Sequence, residues 1–183
     1  MDETNPGRPD LDRLFQQLGF CEYRWIRAPE IVVASWVRMK CRFGCREYGR
    51  NASCPPNTPE LAECRDFFSD YQRAAIFHFE KKVEKPEDRH EWTRRINQEL
   101  LELERQVFLQ NHPKVFLLAM DSCSLCPDCT GLRTSCRQAR SARPTPEALG
   151  VDVFSTVRKA GYPITVLADY ASTMNRYAFL LVD

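Results

Sequence analysis

Three cysteines at successive two-residue gaps, Cys123-Ser-Leu-Cys126-Pro-Asp-Cys129, constrain this chain more than any other feature, and a fourth follows at Cys136. Thiols at that spacing wrap one tight loop around one object. A C-x2-C-x2-C run is how bacterial ferredoxins bring thiolates onto the corners of a cubane iron–sulfur cluster. The fourth cysteine departs from the ferredoxin run, because it comes after six residues rather than three and precedes Arg137 rather than a proline. A structural zinc site more often sets two short Cys pairs a dozen or more residues apart. The loop is therefore read as iron–sulfur, with zinc and unligated thiols as the alternatives.

A second group lies upstream, Cys41-x3-Cys45-x8-Cys54-Pro55-Pro56, in residues too polar to be anything but loop. Its candidate fourth member is Cys64, and the count supports it: eight clustered cysteines make two sets of four, with Cys21 left over. Against it, Cys64 shares a helical stripe with Leu61, Phe68 and Tyr71, where a free cysteine packs as a small hydrophobe. Three ligands would leave an iron corner open to a substrate, whereas four would close the site and favour plain electron transfer. Cys21 alternates with Tyr23 and Trp25 and is read as core.

Basic residues crowd both groups: Lys40, Arg42, Arg46 and Arg50 around the first, Arg133, Arg137, Arg140 and Arg143 around the second. Arg42, Arg46, Arg133 and Arg137 are candidates to offset a cluster's negative charge, or to dock an anionic substrate or an acidic redox partner. The alternative is a solvated surface. His78, His90 and His112 stand at no ligand spacing and are read as structural. Glu147 and Asp152, near the start of a late helical region, suit catalysis or simply the helix dipole.

Composition narrows the rest. With 183 residues the chain is expected to form one domain, 1–183, divided into an N-terminal helix and strand (1–36) and a region holding both cysteine groups (37–183). Its 26 Lys and Arg balance 25 Asp and Glu, which gives no footprint for nucleic acid or a membrane surface. The polar start and the lack of a long apolar run argue against secretion and membrane insertion, so a cytoplasmic location is expected, where clustered cysteines hold metal rather than disulfides. The seven glycines form no phosphate loop, and neither a nucleophile elbow nor an H-E-x-x-H segment occurs.

Periodicity predicts an α/β fold: a mixed, partly parallel sheet with flanking helices and cysteine-rich metal loops. Asp10 caps a helix carrying Leu11, Leu14, Phe15 and Leu18 up to Gly19, and a strand follows through Cys21 and Trp25. Thr58-Pro59 starts a helix ending near Tyr71. Ala74–Phe79, an amphipathic helix over Glu87–Gln110 and Val115–Ala119 form a strand–helix–strand unit with parallel strands. A helical region over Thr145–Lys159 breaks at Gly150, and Ile164–Leu167 and Tyr177–Val182 complete the sheet, the last as an edge or closing strand.

From about Val37 onward the chain resembles a prokaryotic family of predicted metal-binding proteins, domain of unknown function 2284. The resemblance rests on Lys40-Cys41-x3-Cys45-x2-Tyr48-Gly49-x4-Cys54-Pro55-Pro56, Glu63-Cys64, Tyr71, Cys123-x2-Cys126-x2-Cys129-x6-Cys136-Arg137 and Pro146-Glu147-Ala148-x-Gly150-Val151-Asp152-Val153. It implies that the cysteines of both groups, Cys64 among them, are metal ligands; it names no reaction. Where related chains read Cys-Arg-His-Pro, Gln138 and Ala139 follow Arg137 here. The expectation is one or two [4Fe–4S] clusters passing electrons to a partner enzyme. An open-cornered cluster acting as a Lewis acid on a small substrate, or a zinc-stabilised interaction module, are the alternatives.

Overall fold

The computed structural model describes residues 8–82, 85–167, 169 and 172–183, so the polar start of the chain falls outside the described residues. The N-terminal helix α1 spans Arg8–Gln17 and ends at Gly19, whose φ of +85° is left-handed. Asp10 lies within its first turn rather than capping it. Strand β1 follows at Tyr23–Arg27, helix α2 at Ser35–Gly44 and helix α3 at Leu61–Ser69. Helix α3 starts two residues past Pro59, because Glu60 and Glu63 close a capping box around its first turn. Strand β2 (Arg73–Lys81), the long helix α4 (Pro86–Leu109) and strand β3 (Phe116–Leu118) come next, then helix α5 (Val153–Lys159) and strand β4 (Met174–Leu181).

The sheet order is β1-β2-β4-β3 and every neighbouring pair is antiparallel, so the expected parallel pairing does not occur. Strands β2 and β3 do run in the same direction, since each is antiparallel to β4. What separates them is the last strand, inserted between the two ends of the strand–helix–strand unit. Ala178, Phe179, Leu180 and Leu181 are all fully buried, the uninterrupted apolar run of a central strand covered on both faces. The expected edge strand is therefore central. Ile164–Leu167 forms no strand, and Val166 is 83% exposed.

Helices cover both faces of the sheet. Leu11, Phe15, Leu100, Leu103 and Val107 of α1 and α4 pack with Phe77 and Leu180 on one face. Cys64 and Phe68 of α3 and Val157 of α5 pack with Ile76 and Phe179 on the other. The helical period of Trp92, Ile96, Leu100, Leu103 and Val107 sets the inward face of α4, the last four being buried and Trp92 partly so. Cys21 is exposed, correcting its assignment to the core: pairing with β2 starts at Tyr23, so the pleat that buries Tyr23 and Trp25 against α1 does not extend back to it.

Strand β3 has no strand on its outer side, and α4 supplies the missing partners. Glu104 accepts from the Leu117 amide at 2.8 Å, and Asn97 exchanges two hydrogen bonds with Met120, at 2.7 and 3.0 Å. These bonds orient the chain as it leaves β3 for the Cys123 loop.

The late helical region breaks as expected. A short 3-10 turn over Glu147–Leu149 ends at Gly150, whose φ is +83° and whose carbonyl accepts from the Ala34 amide at 2.8 Å beside the start of α2. A Cβ at Gly150 would run into Cδ1 of Leu61. Gly150→Ala is therefore expected to destabilise the fold by about 1–3 kcal/mol, read as a lower midpoint in urea unfolding with an unchanged slope.

Candidate metal centre

The first cysteine group is not wholly in a loop, which corrects the sequence reading. Cys41 lies in the last turn of α2, and the Cys45 amide caps that helix by bonding the Cys41 carbonyl at 3.3 Å. Helical spacing of four residues places the two thiols on one face at the end of α2. Cys54 comes from the loop that follows and is buried, and its thiol donates to Oγ of Ser122 at 3.7 Å.

Burial raises the Cys54 thiol to about 12, with the nearby Cys45, Glu47 and Cys41 adding to the shift and the Ser122 bond opposing it. Cys41 is likewise raised by burial and by Cys45, against Arg38. Cys64 stands apart from these three. It is 1% exposed, packs with Phe68 and Leu149, and donates to the Pro59 carbonyl at 3.5 Å. The charges acting on it are Arg38, Glu63 and Glu60.

The second group follows β3. Cys123, Cys126, Cys129 and Cys136 line one small cavity together with Arg137, Ala52 and Ser53. Burial raises the Cys123 thiol, and mutual repulsion with Cys136, Cys129 and Cys126 adds to it. Among the described residues, no three His, Cys, Asp or Glu side chains form a ready-made site for a metal ion. The four thiols are spread around the cavity rather than gathered on a point.

The two groups adjoin, and the contacts that join them were not evident in the sequence. The Ala52 amide donates to the Cys129 sulfur at 3.3 Å. Asn51, 2% exposed, donates to the Cys123 carbonyl at 2.9 Å and accepts from the Ser53 amide at 3.0 Å. Asn57 donates to the carbonyl of Gly131 at 2.9 Å, and its side-chain oxygen accepts from the Arg133 amide. Asparagines in a polar loop signal only turns; that these two reach across about 75 residues could not be read from spacing.

Of the four candidate arginines, Arg137 lines the cysteine cavity and Arg133 the cleft next to it. Arg42 and Arg46 are exposed near the end of α2, with Arg42 over the Phe43 ring. His78 is buried, stacked on Tyr177 and bonded to Glu22 and Asn175, so it serves the sheet. His90 is exposed on α4 and His112 lies just beyond it. Asp152 caps α5 by accepting from the Ser155 amide. Glu147 presents its carbonyl 3.9 Å from the Cys41 thiol.

The family described as Predicted metal-binding protein (DUF2284) matches residues 24–182. The chain belongs to this family. No curated protein and no solved structure matches it. The match spans both cysteine groups and every strand but the first residue of β1. The family's description names predicted metal binding, and this member presents thiols in two adjoining groups. Among the described residues no helix is long and apolar enough to cross a membrane.

Asn51→Ala would leave the Cys123 carbonyl and the Ser53 amide without their partner. A buried group so orphaned costs about 1–3 kcal/mol. The variant is expected to lose metal faster than the parent under chelator challenge, with its thermal midpoint lowered.

Proposed function

We propose that this protein carries a [4Fe–4S] cluster on Cys123, Cys126, Cys129 and Cys136 and passes single electrons between a redox partner and a second metal group at Cys41, Cys45, Cys54 and Cys64. The observation that carries this reading is the cavity lined by four thiols, whose C-x2-C-x2-C order is that of a cubane-binding loop. A cluster held there would supply one-electron chemistry. The Ala52 amide bond to the Cys129 sulfur and the nearby Arg137 would both raise its reduction potential. The contacts between the two cysteine loops give a short path for electrons.

The exposed face of α2 suits the partner. Trp36, Met39 and Phe43, spaced three and four residues apart, are 50, 50 and 79% exposed, an apolar stripe on the side of α2 turned away from Cys41. Lys40, Arg42 and Arg46 surround it, so the surface matches an acidic redox protein with an apolar docking patch.

A second reading is favoured by the position of Cys64. If its core packing persists with metal present, the first group supplies three thiolates and leaves one iron corner free for a substrate, making the protein an enzyme. Both readings are tested in protein purified without oxygen. Near-equal iron and acid-labile sulfide are expected; stoichiometric zinc without sulfide would overturn both. Cys126→Ser is expected to lose one cluster and the folding free energy linked to it, while Cys21→Ser keeps full iron. Cys64→Ala keeps its iron and loses on the order of 1 kcal/mol of packing if Cys64 is a core residue. Retained iron together with a change in the electron paramagnetic resonance signal on adding cyanide selects the enzyme; iron loss in Cys64→Ala selects the closed carrier.

A further inference from the structure

A cleft lies on the far side of a shared wall from the Cys123–Cys136 cavity. Its volume is about 340 Å3, within the range of small-molecule sites. Phe67, Phe116 and Leu149 line its apolar part, with the rings of Phe67 and Phe116 edge-to-face at 5.2 Å. Ala52, Ser53 and Ala142 line both this cleft and the cysteine cavity, so an occupant would sit one residue's thickness from the thiols.

Most polar groups around the cleft are already engaged within the protein. Asn57 donates to the carbonyls of Asn51 and Gly131, and Thr58 to the Ala148 carbonyl. Arg143 Nε donates to both carboxylate oxygens of Glu104 at 2.9 Å, with Nη2 2.8 Å from one of them, and Glu63 accepts the Glu60 amide of the α3 capping box. Besides the second carboxylate oxygen of Glu63, two groups keep capacity to bind something else. Ser53 is 5% exposed and its Oγ is buried with no hydrogen-bond partner, a costly state for a hydroxyl. Arg133, exposed at the cleft, gives one Nη to the Ala139 carbonyl at 2.8 Å and presents the rest of its guanidinium.

We propose that this cleft binds a small organic acid, with its apolar body against Phe67, Phe116 and Leu149 and its carboxylate taken by Arg133 and the Ser53 hydroxyl. A guanidinium matches a carboxylate with parallel donors. An apolar cavity of about 150 Å3 is enough for benzene, so a ring with a short acidic side chain fits the space available. The proposal goes beyond the electron-transfer reading and does not depend on which metal the cysteines hold.

The test uses protein isolated anaerobically with its metal, and compares phenylacetate, 2-phenylethanol and phenethylamine by saturation-transfer NMR and equilibrium dialysis. Saturable binding of the acid is expected, about tenfold tighter than the alcohol, with no binding of the amine. Arg133→Gln, a change at an exposed side chain, should weaken the acid about tenfold and leave the alcohol unchanged. Ser53→Ala should weaken acid and alcohol alike, and Phe67→Ala should reduce both. No saturable binding of the acid at millimolar concentration overturns the proposal, as does equal binding of all three probes with Arg133→Gln silent, or preference for the amine, which would assign the site to Glu63. Metal analysis on the same samples separates the two ideas. Metal-loaded protein that binds no acid removes the cleft alone, whereas zinc-loaded protein that binds it removes only the iron–sulfur reading.

Discussion

The pairing of β4 with both β2 and β3 is the constraint on which the rest depends. Residues 174–181 make a ladder of eight pairs with β2 on one side and three with β3 on the other. That insertion locks the last strand into the middle of the sheet and divides the apolar side chains between two faces. It also fixes the end of β3, and with it the point where the Cys123 loop begins. Local propensity could not build this arrangement, because the two long-range pairings are closed only by the last strand of the chain.

From that frame the site follows by short polar contacts rather than by regular structure. Two loops, one leaving α2 and one leaving β3, are held together by asparagine side chains and a backbone amide on a sulfur. Neighbouring thiols repel one another once ionised and resist ionisation while buried, and burial raises both the Cys54 and the Cys123 thiol. A cation bound among them relieves both costs together. Metal loading and loop order are therefore linked, and each should strengthen the other.

Much of this was legible in the sequence, and the losses have identifiable causes. The α4 stripe of Ile96, Leu100, Leu103 and Val107, the buried β2 strand, the break at Gly150 and both cysteine groups were recoverable from period and spacing, which are local. The parallel sheet was not, because a strand–helix–strand pattern reports the direction of its two strands but not whether a third lies between them. Cys21 failed at a strand end, where alternation in sequence outruns the pairing that enforces it. Cys41 reads as loop in the sequence because a polar run follows it and the apolar face of its helix, Trp36, Met39 and Phe43, is turned outward.

The Glu104 bond to β3 and the Asn97 bonds to Met120 just past its end have a further effect on how copies of this chain can meet. A sheet grows by adding a strand where amides and carbonyls lie free, and α4 already occupies the Leu117 amide on that side. Of the two flanks of the sheet, the β1 flank is the one left to recruit a neighbour. Sheet-to-sheet association would then meet Tyr23–Arg27, a short strand bearing two arginines whose like charges oppose self-pairing.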